Sequence, residues 1–187
     1  MLTMGDAVVV SATADILPWL RQQLEGKSRD DAFSMPFVYG SGIYFLPDSP
    51  SPLPLPGDTE FVLVEQQEIP RLYKFDGFRN AMQYDANHLR PDVIAMLAKR
   101  NGAIVGMAGA SADCEMLWQI GIDVLPEHRR FGIAAALTNR LAIEVLERGK
   151  VPYYGTASSN VASQQWRTAQ DSSLPGYAHT EETLTVY

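Results

Sequence analysis

A mixed α/β or α+β fold is predicted by three features of the 187-residue sequence. First, Asn101-Gly102 separates two apolar segments, which is the strongest short signal for a β-hairpin. Second, residues 133–148 carry apolar side chains every three or four positions, as in a helix packed on a core. Third, residues 151–157 read as a buried strand directly after that helix. Because a helix joins two strands there, those strands should be parallel.

The N-terminal part predicts a strand, a helix and a second strand region. Residues 6–12 are rich in valine and alanine and favour a short strand. Thr13 or Asp15 is placed to cap a helix that runs to about residue 25. Residues 37–45 favour another strand region with a glycine-containing turn or bulge.

Residues 47–57 contain five prolines and predict a linker. Proline fixes φ and lacks an N–H donor, so this segment cannot form a regular helix or a central strand. We therefore divide the chain into an N-terminal extension, residues 1–57, and a second domain, residues 58–187.

The second domain is predicted to contain an antiparallel meander followed by the crossover helix. The pattern indicates strands over residues 60–65, 92–99, 103–110 and 115–124, helical structure between residues 68 and 84, and a final strand over residues 183–187.

Composition excludes several classes of function. The net charge of −7 disfavours nucleic-acid binding, since such a surface repels phosphate. No apolar run is long enough to span a bilayer. A single cysteine and the absence of a signal-like N-terminus predict a cytoplasmic protein. The three histidines lack the spacing of a helical metal site, so no metal is expected.

The segment between the third meander strand and the crossover helix predicts an anion site. The first turn of a helix presents free N–H groups and the positive end of the helix dipole. Gly132 and Ala134 leave the backbone uncovered, and Arg129 adds a positive charge. The alternative is a plain helix start whose small residues serve packing.

This segment resembles motif A of the GNAT superfamily of N-acetyltransferases, V-x-x-x-x-[RQ]-x-x-G-x-[GA]. Val124, Arg129, Gly132 and Ala134 occupy its defining positions. Residues 156–163 are similar to the end of the family's fifth strand and the asparagine-containing start of the next helix. Residues 107–113 and 118–124 further resemble a subgroup with an extra N-terminal segment, which includes zwittermicin-type self-resistance acetyltransferases.

The resemblance implies the GNAT acyl-CoA N-acyltransferase fold and acetyl-CoA as the acyl donor. The backbone of Ile122 and Val124 would pair with the pantetheine arm, and the Ile122 N–H would act as oxyanion donor. The pyrophosphate would be held by the amides of the turn and first helical residues, namely Arg130, Phe131, Gly132, Ile133, Ala134 and Ala135. Asn160 and Ser163 would contact the pantetheine. A bulge near Gly121 is expected to open the cofactor slot.

The catalytic groups are less well defined by the resemblance. Family members often carry a general-acid tyrosine where this chain has Arg167, and a glycine where it has Arg130. Glu115 is our candidate general base, with a solvated carboxylate at a strand start as the alternative. Asp123 is expected to have a structural or hydrogen-bonding role.

The sequence is compatible with two functions. One is acetyl or short-acyl transfer to the primary amine of a small molecule. The other is a catalytically weak acyl-CoA-binding module that serves as a sensor or partner domain. Residues 1–57 could form a dimerisation or substrate-covering element, so a homodimer is compatible with the sequence.

Overall fold

The computed structural model describes residues 1–4, 6–39, 42–47, 50–157 and 182–184. Contacts divide these residues into two units. The first unit contains residues 1–45, 155–157 and 182–184, and the second contains residues 46–154. The elements are β1 (Leu2–Met4), β2 (Ala7–Val9), α1 (Leu17–Leu24), α2 (Arg29–Phe33), β3 (Gly42–Phe45), β4 (Glu60–Glu65), β5 (Asp92–Arg100), β6 (Ala103–Ala112), β7 (Leu117–Val124), α3 (Ile133–Glu147), β8 (Val151–Ala157) and β9 (Glu182–Leu184).

The first unit contains a small antiparallel sheet in the order β2–β1–β9–β3. Helix α1 begins at Leu17, later than the predicted caps, and Ile16 supplies no side-chain cap. Pro18 suits this start because the first helical turn needs no N–H donor from it. Helix α2 is capped by Ser28, whose hydroxyl accepts from the Asp31 N–H at 3.2 Å.

The second unit contains the predicted meander in the order β4–β5–β6–β7–β8. Pairs are antiparallel up to β7, and β7 with β8 is parallel, as the crossover helix requires. The hairpin turn has Asn101 at φ 48° and Gly102 at φ 77°, the left-handed backbone that an Asn-Gly turn favours. The mixed α/β prediction is therefore confirmed.

The two faces of this sheet carry two separate apolar clusters. On one face, α3 packs its buried side chains, among them Leu137 and Leu141, against residues such as Ala108 and Ile120. On the other face, Met107 lies in a cluster with side chains from residues 69–82. We call residues 66–91 the covering segment.

Among the described residues, every helix is too short or too polar to span a bilayer.

Little of the predicted helix between residues 68 and 84 is present. A 3-10 helix spans Gln66–Leu72, and the rest of the covering segment contains no helix or strand. Pro70 lies inside that helix, and Gly77 has a φ of 93°, so a continuous α-helix is excluded. The segment is held by its buried side chains and by two carboxylates described below.

The proline-rich segment is attached to helix α3. The Asn139 side chain accepts from the Leu53 N–H at 2.9 Å and donates to the Ser51 carbonyl at 3.1 Å. Arg140 donates to the Leu53 carbonyl at 3.2 Å. As predicted, residues 50–57 form no helix or strand. Polar side chains of α3 therefore bond the backbone of this segment in place of a strand ladder.

Candidate active site

Strand β7 has an open edge over its C-terminal half. Its parallel ladder with β8 comprises three pairs, Leu117 with Val151, Trp118 with Pro152 and Gln119 with Tyr153. Strand β7 then continues for five residues, 120–124, that have no ladder partner on this side among the described residues. On the opposite edge of the strand, all five residues pair with β6. An extended ligand could add to this edge as a further strand.

Hydrogen bonds with β6 determine which groups point to the open edge. The Leu125 N–H donates to the Val105 carbonyl at 2.9 Å, and the Asp113 N–H donates to the Leu117 carbonyl at 3.1 Å. In an antiparallel ladder, residues whose N–H and carbonyl groups bond to the partner strand alternate with residues whose N–H and carbonyl groups point to the opposite edge. The odd-numbered residues of β7 therefore bond to β6. The N–H and carbonyl groups of Ile122 and the N–H of Val124 point to the open edge.

The turn after β7 leads its backbone into helix α3 through two left-handed residues. Arg130 has a φ of 67° and Gly132 a φ of 77°. The left-handed region suits glycine, and Arg130 adopts it as a non-glycine residue. Arg129 fixes the turn, since its Nε donates to the Val124 carbonyl at 2.9 Å.

Six consecutive backbone N–H groups at this turn, those of residues 130–135, donate to no acceptor among the described residues. The first bonded amide of the helix is that of Ala136, which donates to the Gly132 carbonyl at 3.0 Å. Gly132 has open space where a side chain would lie. These unbonded donors lie at the positive end of the α3 dipole, beside the exposed residues Phe131 and Gly132, which is the chemistry of an anion site.

An exposed aromatic ring borders these amides. Phe131 is 57% exposed, and the Arg100 guanidinium lies 5.2 Å from its ring centroid. Arg100 is held in turn by the Thr59 hydroxyl, which accepts from its Nε at 2.9 Å. Arg100, whose Nε also lies 3.8 Å from the Asp58 carboxylate, therefore places a guanidinium beside the turn. No sequence pattern marks this residue.

The structure does not bring Glu115 to the open edge. Glu115 is exposed in the turn before β7, which begins at Leu117 rather than at Glu115. At about 3.3 Å per residue, Leu117 lies about 17 Å from Ile122. Asn160 and Ser163 fall outside the described residues, as does Arg167.

Asp123 joins the covering segment to β7. Its carboxylate accepts from the Asn80 N–H and the Asn80 Nδ2, each at 2.6 Å, and from the Ala81 N–H at 3.1 Å. This is the hydrogen-bonding role that the sequence predicted. Sequence reasoning did not identify Asn80, because nothing in residues 68–90 marks which of them meets the strand.

Gly121 allows another segment to pack closely against β7, and it does not form a β-bulge. The register between β6 and β7 runs without a shift from Gly106 and Val124 to Ala112 and Trp118, so the expected bulge near Gly121 is wrong. Gly121 faces Gly109 across the ladder. A Cβ on either glycine would collide with a backbone carbonyl of the covering segment, that of Asn80 or Ala81. The missing side chains admit the covering segment.

A second carboxylate, Asp92, anchors the same segment farther along. It accepts from the Tyr73 hydroxyl at 2.9 Å and from the Gln83 N–H at 3.0 Å. Asp92 is 5% exposed, and this burial raises the pKa of its carboxyl group, although the two hydrogen bonds oppose the shift. Burial and the neighbouring Asp92 raise the pKa of the Tyr73 hydroxyl.

Replacing Asp92 with asparagine should change the pH dependence of stability. A raised pKa means that the folded carboxyl binds its proton more tightly than the unfolded one, whose pKa is about 3.9. Stability should therefore fall as the pH rises from about 4 through the folded pKa. Urea denaturation of wild type and Asp92→Asn from pH 4 to 7 should show the wild type losing stability relative to the variant. A difference that grows in favour of the wild type would contradict the raised pKa.

Asp113 and Tyr153 meet at the other end of β7. The Tyr153 hydroxyl donates to the Asp113 carboxylate, which also lies 3.5 Å from Arg90. Burial raises the pKa of Asp113, and Arg90 counteracts part of that effect. Asp113 is thus partly buried and paired. Tyr153 is buried.

Comparison with known proteins identifies the fold. Residues 60–166 match the family model "Acetyltransferase (GNAT) family". Among solved structures, a GCN5-related N-acetyltransferase from Kribbella flavida is 19% identical with a TM-score of 0.53, and a GCN5-related N-acetyltransferase-like protein from Streptococcus suis is 15% identical with a TM-score of 0.51. A GNAT-family protein from Novosphingobium aromaticivorans is 19% identical with a TM-score of 0.52.

These relatives are longer than the present chain. The alignments cover 77%, 76% and 77% of this chain, but 55%, 61% and 62% of the Kribbella, Streptococcus and Novosphingobium chains respectively. No curated protein sequence matches the chain significantly. The family model nevertheless spans more than half of the 187 residues and includes the turn and the open edge of β7. The chain belongs to the GNAT acetyltransferase family.

Proposed function

We propose that this protein transfers an acetyl or short acyl group from acyl-CoA to the primary amine of a small molecule. One observation carries the proposal: six free amides at the start of α3 adjoin a strand edge whose free N–H groups include those of Ile122 and Val124. The amides suit a pyrophosphate, and the strand edge suits an extended amide-containing chain. Coenzyme A contains both in this order.

The residues at the turn fit the cofactor by chemistry and by space. Donors for the pyrophosphate are the amides of residues 130–135, with Arg129 and Arg130 exposed beside them. Gly132 leaves open space above the backbone. Arg100 and the exposed ring of Phe131 lie next to the turn and suit the nucleotide part. We assign the pyrophosphate to these six amides and the pantetheine to Ile122 and Val124.

Acetyl-CoA supplies the acetyl group as a thioester, whose carbon is open to attack by a neutral amine. The C–N bond forms as the C–S bond breaks, and the proton lost by nitrogen balances the one gained by the CoA sulfur. The Ile122 N–H faces the open edge, where it can donate to the carbonyl oxygen as negative charge develops there. Such a donor typically contributes about 3 kcal/mol to transition-state stabilisation.

The proposal also covers the charge of the acceptor, the subgroup and the cellular location. A net charge of −7 favours a cationic amine over an anionic acceptor. The strands and helices formed by residues 1–45 of the first unit support placement in the subgroup with an extra N-terminal segment, which includes zwittermicin-type self-resistance acetyltransferases. We further propose a cytoplasmic location, where acetyl-CoA is available and the single cysteine stays reduced.

Titration calorimetry with coenzyme A tests the binding part of the proposal. We expect heat of binding with a Kd in the micromolar range and weaker binding as salt rises, since the contacts are to phosphate. A thiol-reactive dye should then report CoA release from acetyl-CoA when primary amines are added. A protein that gives no heat with coenzyme A would refute the proposal.

A CoA-binding module without efficient catalysis is the second candidate. It is favoured by Arg167, which stands where family members often have a general-acid tyrosine. The same two measurements separate the candidates. Micromolar CoA binding without thiol release for any amine of a broad panel would favour the module.

A further inference from the structure

We infer that Asn80 binds the reacting nitrogen of the acceptor amine, with its side-chain oxygen oriented by Asp123. This inference rests on the proposed function and names a residue that recognises the second substrate. It is carried by the contacts that hold Asn80 against the two residues that flank Ile122.

Asn80 lies directly beside the assigned oxyanion donor. Its backbone carbonyl meets Gly121, and its N–H and side-chain nitrogen donate to Asp123. Gly121 and Asp123 precede and follow Ile122 in the strand. Because side chains alternate along a strand, Asn80 lies on one face, while the Ile122 side chain packs with the α3 cluster on the other. The cofactor edge runs between these two faces.

The orientation of the Asn80 amide follows from its partner. A carboxylate only accepts hydrogen bonds, so the Asn80 nitrogen must face Asp123. The Asn80 Oδ1 is consequently directed away from Asp123, and no described residue donates to it. Asn80 is exposed, so this oxygen is available to a ligand.

An amine needs such an oxygen at the point of attack. A protonated amine has three N–H donors and no acceptor, and a neutral one still has two donors. A fixed amide oxygen binds either form without adding a charge, so it holds the nitrogen before and after deprotonation. Asp123 uses three of the roughly four acceptor sites of its carboxylate on the covering segment, and these bonds fix the Asn80 amide. Asp123 is therefore a positioning residue.

The experiment uses n-butylamine as the probe, since the inference concerns the reacting nitrogen and not the rest of the acceptor. We compare wild type, Asn80→Ala, Asp123→Asn and the control Asn87→Ala. Asn87 is exposed in the same covering segment, seven positions after Asn80, and its backbone N–H donates to the Asp85 carboxylate at 2.9 Å. Thiol release gives KM and kcat for the amine, and calorimetry gives the Kd for coenzyme A.

We expect Asn80→Ala to raise the KM for n-butylamine at least tenfold, since one hydrogen bond to a charged group is lost. Asp123→Asn lets the Asn80 amide turn around and should raise KM in the same direction. Both variants should keep the Kd for coenzyme A within about twofold, and Asn87→Ala should match wild type. In a nitrogen-15 spectrum of CoA-bound wild type, n-butylamine should shift the side-chain amide signals that Asn80→Ala removes.

Three outcomes would overturn the inference. The first is an unchanged KM in Asn80→Ala with an unshifted side-chain signal in wild type. The second is an equal rise in KM for Asn87→Ala, which would indicate a general effect on the covering segment. The third is CoA binding by wild type without turnover of n-butylamine at any concentration. Failure of the proposed function is distinct, because it would appear as wild-type protein that does not bind coenzyme A.

Discussion

Replacing Gly132 with glutamate should weaken coenzyme A binding by about 100-fold or more. The new carboxylate would lie among the six free amides and compete with the pyrophosphate for their N–H groups. It would also repel the phosphates, and each 1.4 kcal/mol lost corresponds to a factor of ten in Kd. Titration calorimetry of Gly132→Glu with coenzyme A measures this directly.

Gly149→Glu is a matched control for the effect of strain. Gly149 lies just past the opposite end of α3, has a φ of 70° where Gly132 has 77°, and also has open space at the Cβ position. Both substitutions place a non-glycine residue in the left-handed region, at a cost of about 1–2 kcal/mol of stability. Only Gly132→Glu should lose coenzyme A binding. An equal loss in both variants would indicate a general effect of strain, and an unchanged Kd in Gly132→Glu would remove the pyrophosphate site.

Gly121→Ala should lower the free energy of unfolding by about 3 kcal/mol, at the upper end for overpacking. The added methyl group would collide with the Asn80 carbonyl and lie 3.2 Å from the Ala81 Cα. These are backbone atoms held by Asp123, so they cannot move without breaking hydrogen bonds. Urea denaturation measures the loss, and the covering segment should become more accessible to protease.

Gly106→Ala is the control for Gly121→Ala, because it also replaces a strand glycine but does not face the backbone of the covering segment. Its Cβ would meet side-chain atoms of Leu137, Ile133 and Val124 at 3.0–3.3 Å. Side chains can shift by a few tenths of an ångström, so we expect a loss of about 1 kcal/mol or less. If Gly121→Ala were no more destabilising than Gly106→Ala, the covering segment would not be packed on Gly121 as described.

The predicted elements that the structure confirms are those specified by local chemistry. Asn101-Gly102 forms the expected hairpin because its left-handed backbone suits few other residue pairs. Residues 133–147 form the expected helix because their apolar positions recur at the helical period. The expected helix over residues 68–84 had no such period, and Pro70 with Gly77 breaks it.

The sequence by itself determined the order of elements in the second unit, the parallel pairing of β7 with β8, and the glycine-containing turn at the start of α3. These depend on dihedral preferences and periodicities that act within a few residues. Tertiary structure decided which N–H groups reach the open edge of β7, because that depends on ladder alternation with β6. It also brought Asn80 to Asp123, 43 positions away in the chain. No local pattern encodes such a contact, since it arises when two glycines let a loop backbone lie against the sheet.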